Sequence, residues 1–101
     1  MGQILHIAWD EREIIMRVIM YGTDICPDCV EAKTKLATAA AIQVEIRDIT
    51  RSTKTLKEFL TFRDHDPMFD PVIKAGGIGI PFFITETNFK TFEVDDLLAM
   101  V

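Results

Sequence analysis

Residues Arg17 to Tyr21 read Arg-Val-Ile-Met-Tyr, an almost unbroken apolar run that stops at Gly22. A run without polar alternation suits a strand covered on both faces, as in a parallel sheet, and places it in the sheet's middle. Pro27 to Ala41 carries Val30, Ala32, Leu36, Ala37 and Ala40 among Glu31, Lys33 and Lys35. That spacing and alanine content predict a helix. Ile42, Val44 and Ile46 then alternate with Gln43, Glu45 and Arg47. Such a period belongs to a strand with one polar face, expected at a sheet edge. Ser52 or Thr53 can cap a second helix whose apolar stripe is Leu56, Phe59 and Leu60.

From Asp64 to Gly79 the chain holds Pro67, Pro71, Gly76, Gly77 and Gly79, so this stretch reads mostly as loop, with a short turn around Val72 to Ala75. Phe82 to Ile84 reads as a strand, Glu86-Thr87-Asn88 as a hairpin loop, and Phe89 to Glu93 as the returning strand. Asp95 is placed to cap a final helix, Asp96 to Met100. The order is β-α-β-α-β-β-α. A helix between the first two strands demands a parallel, right-handed crossover, and the last hairpin adds an antiparallel pair. The expected fold is therefore α/β, a four-stranded mixed sheet with helices on both faces. A chain of 101 residues suffices for one such domain.

The charge balance, 16 acidic against 11 basic residues, is the reverse of what a phosphate-neutralising surface needs. Nucleic acid and anionic membrane surfaces are accordingly set aside as partners. Apolar runs are far shorter than the ~20 residues that span a bilayer. The N-terminus lacks the basic start and long apolar stretch of an export signal, so a cytoplasmic location is expected. Two cysteines cannot make a disulfide scaffold. In a reducing compartment a Cys-x-x-Cys pair points to catalysis or metal binding.

That pair is Cys26-Pro27-Asp28-Cys29, where the first strand and its loop, Gly22 to Ile25, give way to a helix. Thiol-disulfide chemistry needs an attacking thiolate, a second thiol within reach and a positive potential at the first sulfur. A helix N-terminus supplies the last through its unpaired N–H groups and dipole. Pro27 costs no hydrogen bond in the first turn. Cys26 is the expected attacker, and Cys29, one turn in and more buried, the resolving thiol. Asp24 and Asp28 flank the attacker and oppose an anion there, with Lys33 in reach to offset them. As half of a zinc site the pair lacks partners, since His6 and His65 are isolated and far apart in sequence. Asp64-His65-Asp66 followed by Asp70 reads as a solvated loop, and Glu31 with Lys35 as an ordinary exposed-face pair. No metal ligand is assigned.

The second constellation is Ile80-Pro81-Phe82-Phe83, a proline at a strand entrance. If the Ile80-Pro81 bond is cis, the Ile80 main chain faces the cysteines with free hydrogen-bonding groups, and an extended thiol peptide can pair there.

Together these residues resemble the glutaredoxin branch of the thioredoxin-fold superfamily, most of all the small glutaredoxin-related proteins carrying Cys-Pro-Asp-Cys. The likeness runs from about Arg17 to the C-terminus and rests on the strand before the motif, the motif itself, Ala32-Lys33, the Ile80-Pro81 step and the paired acids Asp95-Asp96. It implies a thioredoxin-like fold and a monomer that exchanges disulfides with a protein or low-molecular-weight thiol. Glutathione is its implied co-substrate, a thiol reductase its alternative electron donor, and no cofactor stays bound. Ile80 and Pro81 take the role of holding the substrate's cysteine, and Asp95 and Asp96 that of meeting a γ-glutamyl amine. Family members typically carry a Lys shortly before the first Cys and Gly-Gly or Gly-Ser before the acids. This chain has Thr23-Asp24-Ile25 and Glu93-Val94 there, with Asp28 where an aromatic usually stands. Asp24 and Asp28 disfavour anionic glutathione. The longer Asp64–Gly79 loop makes Met68 and Phe69 available to cover the site. Met16 begins a typical family start, which leaves residues 1–15 as an N-terminal extension, an added strand carrying Leu5, Ile7 and Trp9 or a loose tail. The rival readings are a metal- or iron-sulfur-binding module of the same fold and a redox-inert interaction domain.

Overall fold

In the computed structural model, residues 14–101 are described. The expectations for Leu5, Ile7, Trp9 and His6 lie outside them. Strand β1 (Met16–Gly22) leads into helix α1 (Pro27–Ala37), strand β2 (Ile42–Asp48) and helix α2 (Thr53–His65). A 3-10 turn (Pro67–Phe69) and helix α3 (Asp70–Lys74) follow. Strands β3 (Phe82–Thr85) and β4 (Lys90–Thr91) and helix α4 (Val94–Leu98) complete the chain. The sheet has four strands in the order β2-β1-β3-β4. The β1–β2 pair is parallel and the other two pairs are antiparallel.

The apolar run of β1 is internal because both its neighbours need it and both its faces are covered. Met16, Val18 and Met20 pack with Cys29, Ala32 and Leu36 of α1, Phe83, and Val94 and Leu97 of α4. Ile19 and Tyr21, pointing the other way, join Phe59 and Phe62 of α2 with Phe69, Phe82 and Phe92. This second layer is a mesh of aromatic rings. Phe69 meets Phe92 edge-on at 4.9 Å and Phe82 at 5.0 Å, within the distances at which ring quadrupoles attract. The Tyr21 hydroxyl escapes burial without a partner by donating to Glu58 Oε1 at 3.1 Å and accepting from Arg47 Nη1 at 3.2 Å. No helix among the described residues is long and apolar enough to cross a membrane.

Several expectations need correction. Helix α1 ends at Ala37, and the Thr38 hydroxyl donates to the Lys35 carbonyl, closing the last turn. On α2, Ser52 is the cap, as the sequence suggested, accepting from the Thr55 N–H at 3.1 Å, while Thr53 is the first helical residue. Leu56 is exposed, and the apolar face instead extends through Phe62, whose ring packs on Phe82. The stretch expected as loop begins inside α2, so Asp64 and His65 are helical and His65 Nδ1 lies 2.9 Å from the Thr61 carbonyl. Pro67 forces the break, since the residue before a proline is pushed to extended backbone, and Asp66 has φ −92 and ψ 120. Asp66 then caps the 3-10 turn through Met68 N–H at 3.1 Å and pairs with Lys90 across to β4. The returning strand is only Lys90–Thr91, and α4 starts at Val94, so Asp95 lies inside its first turn. Thr91 does the terminating work: its hydroxyl accepts the Glu93 N–H at 3.0 Å and donates to Asp96 Oδ2 at 2.6 Å.

Asp66 bonds to Lys90 and Met68, and these hold its carboxyl below the usual carboxylate range. A depressed folded pKa gives stability that is present above the unfolded value and is lost as pH falls through the folded one. Asp66→Asn is expected to cost about 1–2 kcal/mol at neutral pH. In urea melts, the gap to wild type closes as pH falls below about 4. A gap that persists unchanged at acid pH contradicts the assignment.

Candidate active site

Gly22 closes β1, and the next residues turn the chain into α1. The Cys26 N–H donates to the Thr23 carbonyl at 3.2 Å, and the Cys26 carbonyl accepts from Val30 N–H at 3.1 Å. Cys26 is thereby the N-cap of α1, in extended backbone, with Pro27 behind it in the first turn. Its Sγ accepts the Cys29 N–H at 3.3 Å, so a partial positive charge from the helix start faces the sulfur. Cys26 is half-buried, and Cys29 is fully buried; both are free thiols. Burial, then the hydrogen bond to Cys26, pushes the Cys29 thiol up to about 12. One cysteine is only partly buried, at a helix start, and the other is held protonated one turn below.

The close approach of α1 to β1 depends on Gly22. A Cβ there would lie 2.8 Å from Cys29 Sγ, 3.3 Å from Cys29 Cβ and 3.2 Å from Met20 Cε. The flanking acids are unequal. Asp24 is paired with Lys33 at 2.7 Å, as the sequence suggested, while Asp28 has no ion-pair partner among the described residues.

The Ile80-Pro81 peptide is cis. Pro81 is buried, Ile80 half-buried, and Ile80 packs on the same core cluster as Cys26. Neither the N–H nor the carbonyl of Ile80 bonds to another main-chain group among the described residues. Two groups hold the approach to this step. Arg63 of α2 donates to the carbonyls of Gly77 at 2.8 Å and Ile78 at 2.9 Å. Gly79, at φ +97, lies so close to the Phe69 ring that a Cβ would meet it at 2.8 Å. Phe69 is therefore wholly buried beneath this loop and Met68 packs into the aromatic layer, so neither covers the cysteines as expected.

A groove of about 520 Å³ runs between α1 and this loop, and Asp28, Ile80 and Pro81 all line it together with Glu31, Glu93 and Val94. Asp95 and Asp96 are not among its lining residues. Asp95 pairs with Lys35 at 3.2 Å, which also removes Lys35 from its expected pairing with Glu31, and Asp96 is bonded to Thr91. Among the described residues, no three His, Cys, Asp or Glu side chains gather as a metal-ligand set. Sequence reasoning missed Arg63 and Glu93. Arg63 acts on main-chain carbonyls 14 and 15 residues away, a contact with no pattern in a single sequence.

Searches of protein-family models, curated proteins and solved structures give no match to this chain. The reading of the site accordingly rests on its chemistry.

Gly22→Ala is expected to cost about 1–3 kcal/mol, the usual range for forcing a group into a packed interior. Because the Cys29 side chain, or the first turn of α1 that carries it, must shift to accept the methyl, the reactivity of Cys26 toward iodoacetamide should change in the same variant. Unaltered stability and unaltered labelling would show that the contact does not set the site.

Proposed function

We propose that the chain is a thiol-disulfide oxidoreductase of the dithiol type, with a thioredoxin-like fold of the glutaredoxin branch. The observation that carries this reading is the contrast within Cys26-Pro27-Asp28-Cys29. The sulfur of the partly buried Cys26 faces the start of α1, and the fully buried Cys29 is kept protonated beneath it. The parallel β1–β2 pair, the antiparallel β3–β4 pair and helices on both faces are compatible with that fold.

The chemistry follows from these positions. The Cys26 thiolate attacks one sulfur of a substrate disulfide, forming a Cys26–substrate mixed disulfide and expelling the other substrate sulfur as a thiolate, which takes up a proton. Cys29 then loses its proton and attacks Cys26 Sγ. The second substrate thiol leaves, and a Cys26–Cys29 disulfide remains. Two electrons and two protons pass from the dithiol to the substrate. A low-molecular-weight thiol such as glutathione, or a thiol reductase, returns them by the reverse exchanges and is itself oxidised to a disulfide. Pairing of the substrate's extended backbone with the unbonded main-chain groups of Ile80 would hold its cysteine in place.

Cys26→Ser should abolish exchange, and Cys29→Ser should accumulate mixed disulfide on Cys26, both read by intact mass after acid quenching. The thiolate is the attacking form, and burial, the largest cause of the raised Cys29 pKa, persists when Cys26 is tied up in a mixed disulfide. Resolution of a preformed mixed disulfide should therefore quicken as pH rises between about 6 and 9. A Cys26→Ser protein that still turns over, or a resolution rate independent of pH, overturns the reading.

A further inference from the structure

The groove that Asp28 of the motif shares with Ile80 and Pro81, and that neither cysteine lines, carries an unbalanced charge. Asp28 and Glu31 face it from α1, and Glu93 from the residue that precedes α4. Each is exposed, and none has an ion-pair partner among the described residues. The nearby cations are committed elsewhere. Lys33 is held by Asp24, Lys35 by Asp95 and Lys90 by Asp66. Arg63 spends its guanidinium on the carbonyls of Gly77 and Ile78. Lys74 lies on the other side of α3, in a separate depression with Asp70 and Ile73. The groove also carries apolar side chains, those of Val72, Ile78 and Ile80. Its volume of about 520 Å³ falls in the range of sites that take a ligand of several hundred daltons.

Resting on the oxidoreductase reading above, we infer that the substrate is a protein or peptide disulfide whose cysteine is flanked by Lys or Arg. The cysteine is presented to Cys26 along the Ile80 main chain. A neighbouring aliphatic side chain lies on Val72, Ile78 and Ile80, and the flanking cations meet Asp28, Glu31 and Glu93. Fixed charge of one sign in a groove concentrates the opposite charge and raises the association rate, an effect that salt weakens. A thiol with net negative charge is selected against by the same carboxylates, which separates this substrate from free glutathione.

The test compares two mixed disulfides of one short peptide, its cysteine flanked by Lys in one and by Glu in the other. Dithiothreitol is the electron source, and a small uncharged disulfide serves as reporter of Cys26 chemistry. The Lys peptide should show a kcat/KM at least about tenfold higher at low ionic strength, narrowing as salt is raised. In the doubly reversed variant Glu31→Lys/Glu93→Lys the preference should invert, and in Glu31→Gln/Glu93→Gln it should shrink. Equal kcat/KM for the two peptides, with the reporter reduced normally, overturns the substrate assignment and leaves the oxidoreductase reading standing. A preference that survives charge reversal also overturns it. A wild-type protein that fails to reduce even the reporter overturns the oxidoreductase reading, and the substrate assignment with it.

Discussion

The approach of Cys29 to the end of β1 is the contact on which the site depends. Gly22 contributes no side chain, so the Cys29 sulfur can lie where a Cβ would come within 2.8 Å. That brings the first turn of α1 down onto the sheet and leaves Cys29 with no exposed surface. Everything at the helix start follows from this seating. Cys26 becomes the cap, its sulfur meets the Cys29 N–H, and Pro27 occupies a position where its missing donor goes unnoticed. The burial that anchors the helix is also what raises the Cys29 thiol to about 12. One packing contact thus supplies both the placement of the attacker and the protonated state of its partner.

The other wall of the site has no covalent nearness to the cysteines and is held by a different layer. Phe69 sits in the aromatic mesh on the far face of the sheet and supports Gly79 from below. Arg63 fixes the two preceding carbonyls. The loop that delivers Ile80 and Pro81 is therefore tied to α2 and the aromatic layer, while Cys26 is tied to α1 and the aliphatic layer. The sheet between them sets their spacing, and β1, buried on both sides, links the two layers.

Much of this was legible in the residues. The continuous apolar run of β1 demanded a central strand, and the alternation of β2 an edge strand, because periodicity reports how many faces are covered. The strand-to-helix position of Cys26 and the proline of Ile80-Pro81 were visible for the same reason: both are local backbone constraints. The stretch from Asp64 to Gly79 was misread because prolines and glycines suggest loop, whereas Pro67 and Pro71 here stand in the first turns of short helices. The position of Asp95 was misread because a local capping rule was applied where Thr91 and Asp96 close the turn between them. Arg63, Glu93 and the Lys35–Asp95 pair belong to tertiary contacts, and nothing in a single sequence announces which distant carbonyl or carboxylate a long side chain will meet.

The central claim is that Cys26 and Cys29 form one two-electron couple. The direct measurement is a redox titration of the full chain against graded ratios of reduced and oxidised dithiothreitol, quenched by alkylation and read by intact mass. A coupled pair predicts only two species, both thiols labelled or neither, exchanging in a single two-electron transition with no change in molecular size. Singly labelled protein at equilibrium, disulfide-linked dimers, or thiols that stay labelled at every ratio would contradict it.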